Sequence, residues 1–151
     1  FVAPEFFSFI RGLMVEAGWD AYIKPIIWVK RETGQCNMPE RWPSSCYEMI
    51  LDCRKATSKL VVQGKPDWIP EDPVLESKRL YPTEKPVPLL RKLLTRTSLP
   101  GQRLYDPFMG SGSSLEAGLA QKLIVRGCDE SVEAYNAASK RIADYLKGAE
   151  R

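Results

Sequence analysis

The sequence predicts an α/β fold, and three observations carry that prediction. The first is the run Leu104-Tyr105-Asp106-Pro107-Phe108-Met109-Gly110-Ser111-Gly112-Ser113-Ser114. It reads as a strand halted by a proline, a glycine-rich turn and the start of a helix, an order that puts backbone N–H groups and a carboxylate in one crevice. The second is the stretch Lys122 to Cys128, whose interior is continuous and apolar apart from Arg126, as in a buried parallel strand. The third is the helical spacing on either side, with Leu89, Leu90, Leu93 and Leu94 before the turn and Val132, Tyr135, Ala138, Ile142 and Tyr145 after it. Together they give helix–strand–helix–strand–helix, a βαβ unit that is right-handed by the usual chirality rule. Sheets of this kind bind ligands in the crevice beyond the carboxyl ends of their strands.

The earlier elements follow the same signals. Phe1-Val2-Ala3 suits the tail of a strand. From Pro4, the residues Phe6, Phe7, Ile10, Leu13, Met14 and Ala17 recur at helical spacing up to Gly18. Ala21 to Lys30 reads as a strand rich in Ile, Tyr, Trp and Val, and Pro25 places its start late or along an edge. Residues 31–45 carry loop chemistry, and Tyr47-Glu48-Met49-Ile50-Leu51 is a further strand that can pair with the preceding one as an antiparallel hairpin. Residues 54–80 read as an irregular basic loop, with prolines at 66, 70 and 73 and a lone Trp68. Such a segment suits either contact with nucleic acid or a solvated connection with Trp68 tucked onto the core. Pro86 and Pro88 suit the entrance of the leucine helix, Pro100-Gly101 a turn, and Ser113-x-x-Glu116 a capping box at the head of the next helix.

Composition narrows the class. At 151 residues, 44% hydrophobic and 27% charged, the chain has the size and content of one globular domain. Residues 1–98 hold fifteen Lys/Arg against twelve Asp/Glu, and residues 99–151 hold seven of each. The mild positive excess therefore precedes the glycine turn, compatible with a polyanionic partner without demanding one. Four cysteines without a CxxC pair, and no histidine, argue against a zinc site and for reduced, intracellular thiols. No apolar run approaches the roughly 20 residues of a membrane span, and no signal peptide is visible. The chain opens at Phe1 inside a running apolar segment, so it is expected to be part of a longer protein.

Three ligands compete for the glycine turn. A triphosphate loop needs a lysine after its last glycine, and Gly112 is followed by Ser113-Ser114. A dinucleotide site needs G-x-G-x-x-G, but Leu115 stands at the third position and Asp106-Pro107 precedes the turn. S-adenosylmethionine (AdoMet) presents an ammonium that Asp106 can accept, and Asp129, at the end of the next strand, suits a ribose diol. As simpler roles, Asp106 suits a turn cap and Asp129 a helix N-terminal charge. Spacing alone leaves AdoMet and NAD both open.

A resemblance separates them. Asp106-Pro107-Phe108-x-Gly110-Ser111-Gly112-Ser113 resembles the AdoMet motif of amino-methylating DNA methyltransferases, the adenine-N6 and cytosine-N4 enzymes. Pro82-Thr83-Glu84-Lys85-Pro86-x-x-Leu89-Leu90 resembles their Pro-Thr-x-Lys-Pro motif, which precedes the glycine motif in the permuted order many of them show. Gly127-Cys128-Asp129-Glu130, with Tyr135 and Ala138, resembles their acidic ribose-binding turn and following helix. Gly18-Trp19, Ile26 to Lys30 and Tyr47 to Leu51 resemble the two strands after their catalytic motif.

The resemblance implies a Rossmann-like methyltransferase fold with a mixed, mostly parallel sheet and an antiparallel hairpin, incomplete at the N-terminus, over residues 1–151 as one partial domain. It implies AdoMet as cofactor, with Asp106, Pro107, Phe108, Gly110, Ser111 and Gly112 at the methionine end, Asp129 at the ribose, and Thr83, Lys85 and Pro86 on the other side. It implies double-stranded DNA as partner, methylated at an exocyclic amine as in restriction-modification, and a cytoplasmic protein of prokaryotic or phage type. Lys55, Lys59, Lys65, Trp68, Lys78 and Arg79 are its candidate DNA contacts. The sequence departs from the family in two places. Tyr81 stands where histidine is frequent, and the Asp/Asn/Ser-Pro-Pro-aromatic catalytic motif is missing, since the 151 residues hold no Pro-Pro pair. No catalytic or metal-binding residue is assigned. The alternatives are an inactive remnant of the fold serving as a DNA-binding or assembly module and, third, an NAD-binding domain.

Overall fold

A computed structural model describes residues 1–31, 36, 38–55 and 57–149. The described chain gathers into two compact units, Phe1–Leu60 with Gly64–Asp72, and Val61–Gln63 with Pro73–Arg151.

In the first unit a short 3-10 turn, Pro4–Phe6, leads into α1 (Phe7–Glu16). Only Phe7 of α1 is buried, and Phe6, Phe9 and Leu13 are exposed, so less of this helix packs than its spacing predicts. Two short strands, β1 (Asp20–Ala21) and β4 (Cys53–Arg54), pair antiparallel. Between them in sequence lie β2 (Ile26–Val29) and β3 (Tyr47–Ile50), whose antiparallel register sets Ile26 opposite Ile50 and Val29 opposite Tyr47. This is the expected hairpin, and its first strand starts directly after Pro25. Val2 adds an antiparallel bridge to Met49. The loop read at 31–45 falls partly outside the described residues.

The segment 54–80 is more ordered than its prolines suggest. Trp68–Pro70 forms β5, parallel to β2, in a three-stranded sheet of order β3-β2-β5. Its edge position tolerates proline, because one side of an edge strand needs no ladder donor. What holds it there is burial. Ile69 is 1% exposed and Trp28 on β2 is 2% exposed, while the Trp28 indole N–H donates to the Glu71 carbonyl at 2.7 Å. Trp68 itself points outward, 51% exposed.

The second unit carries α2 (Val87–Thr97), β6 (Arg103–Asp106), α3 (Ser113–Ala120), β7 (Ile124–Gly127) and α4 (Val132–Ala149). β6 and β7 pair in parallel, Leu104 opposite Val125 and Asp106 opposite Gly127, with α3 as the connection between them. The core is formed by Leu89 of α2, Met109 of the turn, Leu115 and Ala117 of α3, Leu123, and Ala134 and Ala138 of α4. α2 packs against α3, and Gln121 ties the two helices by donating to the Arg91 carbonyl at 2.7 Å and to the Thr95 hydroxyl at 2.8 Å. The expected capping box is absent. The N-cap of α3 is Gly112 in the left-handed region with no side-chain cap, and Glu116 is engaged by an arginine of α4. Cys36, Cys46, Cys53 and Cys128 are free thiols. Among the described residues no helix is long and apolar enough to cross a membrane.

Candidate functional site

The candidate site lies in the second unit, at the carboxyl ends of β6 and β7. The Cys128 N–H donates to the Asp106 carbonyl at 3.0 Å and the Met109 N–H to the Cys128 carbonyl at 3.1 Å, which laces the two strand ends to the turn. Asp106 is the last residue of β6, and Asp129 stands two residues beyond β7. Two carboxylates are thus presented by neighbouring strands.

Each carboxylate is anchored by local bonds. Asp106 accepts the Phe108 N–H at 3.0 Å through Oδ1 and the Ser114 hydroxyl through Oδ2. Asp129 accepts the Ser131 N–H at 3.0 Å through Oδ1 and the Gly110 N–H at 2.9 Å through Oδ2. These are the turn-cap and helix-terminus roles. They leave acceptor capacity over, since an ionised carboxylate offers about four lone-pair positions. The Ser131 and Gly110 amides also hold the Asp129 carboxyl below its ordinary pKa.

The turn corrects one expectation. Its N–H groups are largely not free, because those of Phe108, Met109 and Gly110 are spent as described and that of Gly112 donates to the Met109 carbonyl at 2.7 Å. A phosphate cradle needs such amides aimed at the ligand. This crevice is rich in acceptors instead, and suits a ligand that brings donors.

Two glycines, one in the turn and one in α3, let neighbouring elements close in. Gly112 has φ +75°, and a Cβ there would lie 2.9 Å from Ala138 Cα, so α4 crosses directly against it. The close packing of helix on strand, which the third glycine of a dinucleotide motif supplies, comes here from Gly118. A Cβ on Gly118 would meet Val125 Cγ1 at 2.7 Å and Leu104 Cδ2 at 2.8 Å. The signal for it was available as a lone glycine inside a helical pattern, which asks for a packing reason.

The segment 80–86 reaches the turn at two points. A Cβ on Gly110 would touch the Tyr81 ring at 3.5 Å, which sets that ring beside the glycine. Glu84 accepts the Leu80 N–H at 2.7 Å and pairs with Arg141 of α4. Thr83 is exposed, Lys85 is half-buried with Nζ 3.4 Å from the Thr83 carbonyl, and Pro86 is buried at the start of α2. Pro107 and Phe108 are exposed, Phe108 to 85%, the farthest out of the large apolar side chains. Ser111 is buried. Arg141 was missed by sequence reasoning. It donates to the Ser111 carbonyl at 2.8 Å, to Glu116 at 2.8 Å and to Glu84.

The basic candidates are less uniform. Lys59, Lys65 and Lys78 are exposed, and Lys55 Nζ sits 4.3 Å from the centre of the Trp19 ring. Arg79 donates to the Val74 carbonyl at 3.0 Å and the Pro82 carbonyl at 3.4 Å, so its guanidinium is committed to its own loop. Among the described residues no cluster of His, Cys, Asp or Glu is arranged to hold a metal ion.

The family model for DNA methylases of the N6/N4 methyltransferase type matches residues 7–140. The chain belongs to this DNA methylase family. It is similar to the type II methyltransferase M.EcaI of Enterobacter cloacae, 43% identical over 65 residues, a match that covers 42% of this chain and 14% of that protein. Among solved structures it is similar to the M1.HpyAVI–SAM complex at 27% identity and a TM-score of 0.81, covering 94% of this chain and 72% of that one. The cytosine-N4-specific PvuII DNA methyltransferase shares the fold at 13% identity and a TM-score of 0.69, covering 95% of this chain and 61% of that one.

Proposed function

We propose that this chain is the AdoMet-binding part of a DNA methyltransferase that methylates the exocyclic amine of adenine (N6) or cytosine (N4). The observation that carries the reading is the crevice in which Asp106 and Asp129 stand at neighbouring strand ends beside a turn that spends the amides of Phe108, Met109, Gly110 and Gly112 internally. An ammonium, a ribose diol and an adenine amino group bring donors to such a crevice, whereas a phosphate brings acceptors. Membership of the DNA methylase family and the likeness to a SAM complex support the same ligand.

When bound, AdoMet supplies a methyl group activated on a sulfonium. The protein's part is binding and orientation. In this reading Asp106 takes the ammonium, and Pro107, Phe108, Gly110, Ser111 and Gly112 pack along the methionine end. Asp129 takes the ribose hydroxyls with the lone pairs that Ser131 and Gly110 leave over. Thr83, Lys85 and Pro86 line the opposite side. Both units act as one methyltransferase domain. DNA is the partner, with Lys55, Lys59, Lys65, Trp68 and Lys78 as its candidate contacts and Arg79 in a supporting position in its loop.

A second reading is an inactive methyltransferase-fold module for DNA binding or assembly, which a chain without a Pro-Pro pair fits as well as it fits the first. The first reading requires AdoMet affinity, and a thermal-shift panel with AdoMet, NAD and ATP tests that requirement. AdoMet at about one hundred times its Kd should stabilise the fold by about 2.7 kcal/mol, with NAD and ATP inert. Stabilisation by NAD with none by AdoMet would return the site to a dinucleotide. Transfer of a labelled methyl group from AdoMet to DNA by this chain would remove the second reading.

A further inference from the structure

The glycine turn, α3, α4 and the segment 80–86 converge on one guanidinium. Arg141 spends three different nitrogens on three partners. Nε donates to the Ser111 carbonyl, Nη1 to the Glu116 carboxylate and Nη2 to the Glu84 carboxylate. The cluster is largely sealed, with side-chain exposures of 11% for Arg141, 4% for Glu84 and 24% for Glu116. Glu84 carries the connection outward, because its second oxygen accepts the Leu80 N–H and so closes the loop that sets Tyr81 beside Gly110. A buried carbonyl between two glycines of positive φ is held by a side chain rather than by a helix or strand partner. The conformation of Gly110-Ser111-Gly112 is therefore tied to a residue thirty positions away.

We propose that Arg141 is a positioning residue for the AdoMet site, fixing the glycine turn against the Thr83–Pro86 segment. The inference rests on the AdoMet reading above for its affinity consequence, while the fixing of the turn stands on the geometry alone. Arginine is specifically required. Its planar fork serves three directed bonds at once, whereas lysine keeps the charge on a single nitrogen and cannot reach all three partners. A residue that merely holds the fold together would lose stability on substitution without a selective loss at the turn.

The test compares the full chain with Arg141→Lys, and with Glu84→Gln as the milder variant should Arg141→Lys fail to fold. Hydrogen exchange reads the amides of residues 108–114, among them those of Gly110 and Gly112, and calorimetry reads AdoMet affinity. The expected result is exchange at 108–114 accelerated selectively, with amides of β6 and β7 unchanged and the AdoMet Kd raised by about tenfold or more. Glu84→Gln should move both readouts in the same direction by less. Unchanged exchange at 108–114 in a folded variant would overturn the inference, as would uniform acceleration across the unit with Kd unaltered. If the wild-type chain itself shows no AdoMet binding, the AdoMet reading falls, and the exchange arm alone decides whether Arg141 fixes the turn.

Discussion

Asp129 is held in place by two backbone amides, and that arrangement has consequences in both pH and ligand binding. The Ser131 N–H first, and the Gly110 N–H after it, lower its pKa in the folded chain. A depressed folded-state pKa contributes stability above the unfolded value of about 3.9, and that contribution is lost as pH falls through the folded value. A carbon NMR titration of the Asp129 carboxyl should therefore show a midpoint below that of an unstructured aspartate. A midpoint at or above the ordinary value would mean the two amides do not hold it. Phe108 offers a complementary test. At 85% exposure its ring contributes little to the core, so Phe108→Ala should change the unfolding free energy read by urea by no more than about 0.5 kcal/mol, while weakening AdoMet binding. Loss of both together would mark it as a packing residue. At this scale the sequence was readable where residues sit in a local pattern. Asp106, Gly112 and Asp129 are legible because strand ends and glycine turns are written in consecutive residues. Arg141 is not, because a charge on an amphipathic helix resembles any solvated charge until the partners from 84, 111 and 116 are brought to it.

At the scale of elements, the placement of α3 decides the site. Gly112 lets α4 approach its first turn, and Gly118 lets β6 and β7 approach its inner face. The two turn glycines should respond differently to alanine. Gly110→Ala meets only ordinary contact with Tyr81 and carries the left-handed penalty of about 1–2 kcal/mol. Gly112→Ala adds a clash with the Ala138 backbone, an overpacking cost of about 1–3 kcal/mol more. Urea denaturation of the two variants should rank Gly112→Ala clearly below Gly110→Ala, and equal losses would contradict the close approach of α4. Helices and the βαβ unit were legible from apolar spacing, but that spacing overstated the buried faces: α4 buries Ala134 and Ala138 while Val132 and Tyr135 are exposed, and Ile124 of β7 is exposed where a fully buried strand was expected. β5 was not, since prolines 66, 70 and 73 suppress every strand signal, and only the burial of Ile69 against the Trp28 sheet reveals why three residues are extended there. The capping box failed for a related reason. Ser113 and Glu116 have the right spacing, but Glu116 gains more from the guanidinium of Arg141 than from a backbone amide at its own helix end.

For the whole molecule, the contact pattern gives two units, and every bond of the candidate site that is described here lies within the second. Hydrogen exchange with and without AdoMet should therefore show protection at 80–86, 108–114 and 128–131, exceeding any change at β2 or β3. Protection confined to the first unit would move the site elsewhere. Isothermal titration of the folded chain and of Asp129→Ala measures most directly whether the crevice between Asp106 and Asp129 binds AdoMet. The expected result is saturable binding to the wild-type chain, weakened about tenfold or more in Asp129→Ala by the loss of charge-assisted hydrogen bonds. Absence of heat at millimolar AdoMet from a folded wild-type chain, or equal affinity in the two proteins, would contradict it.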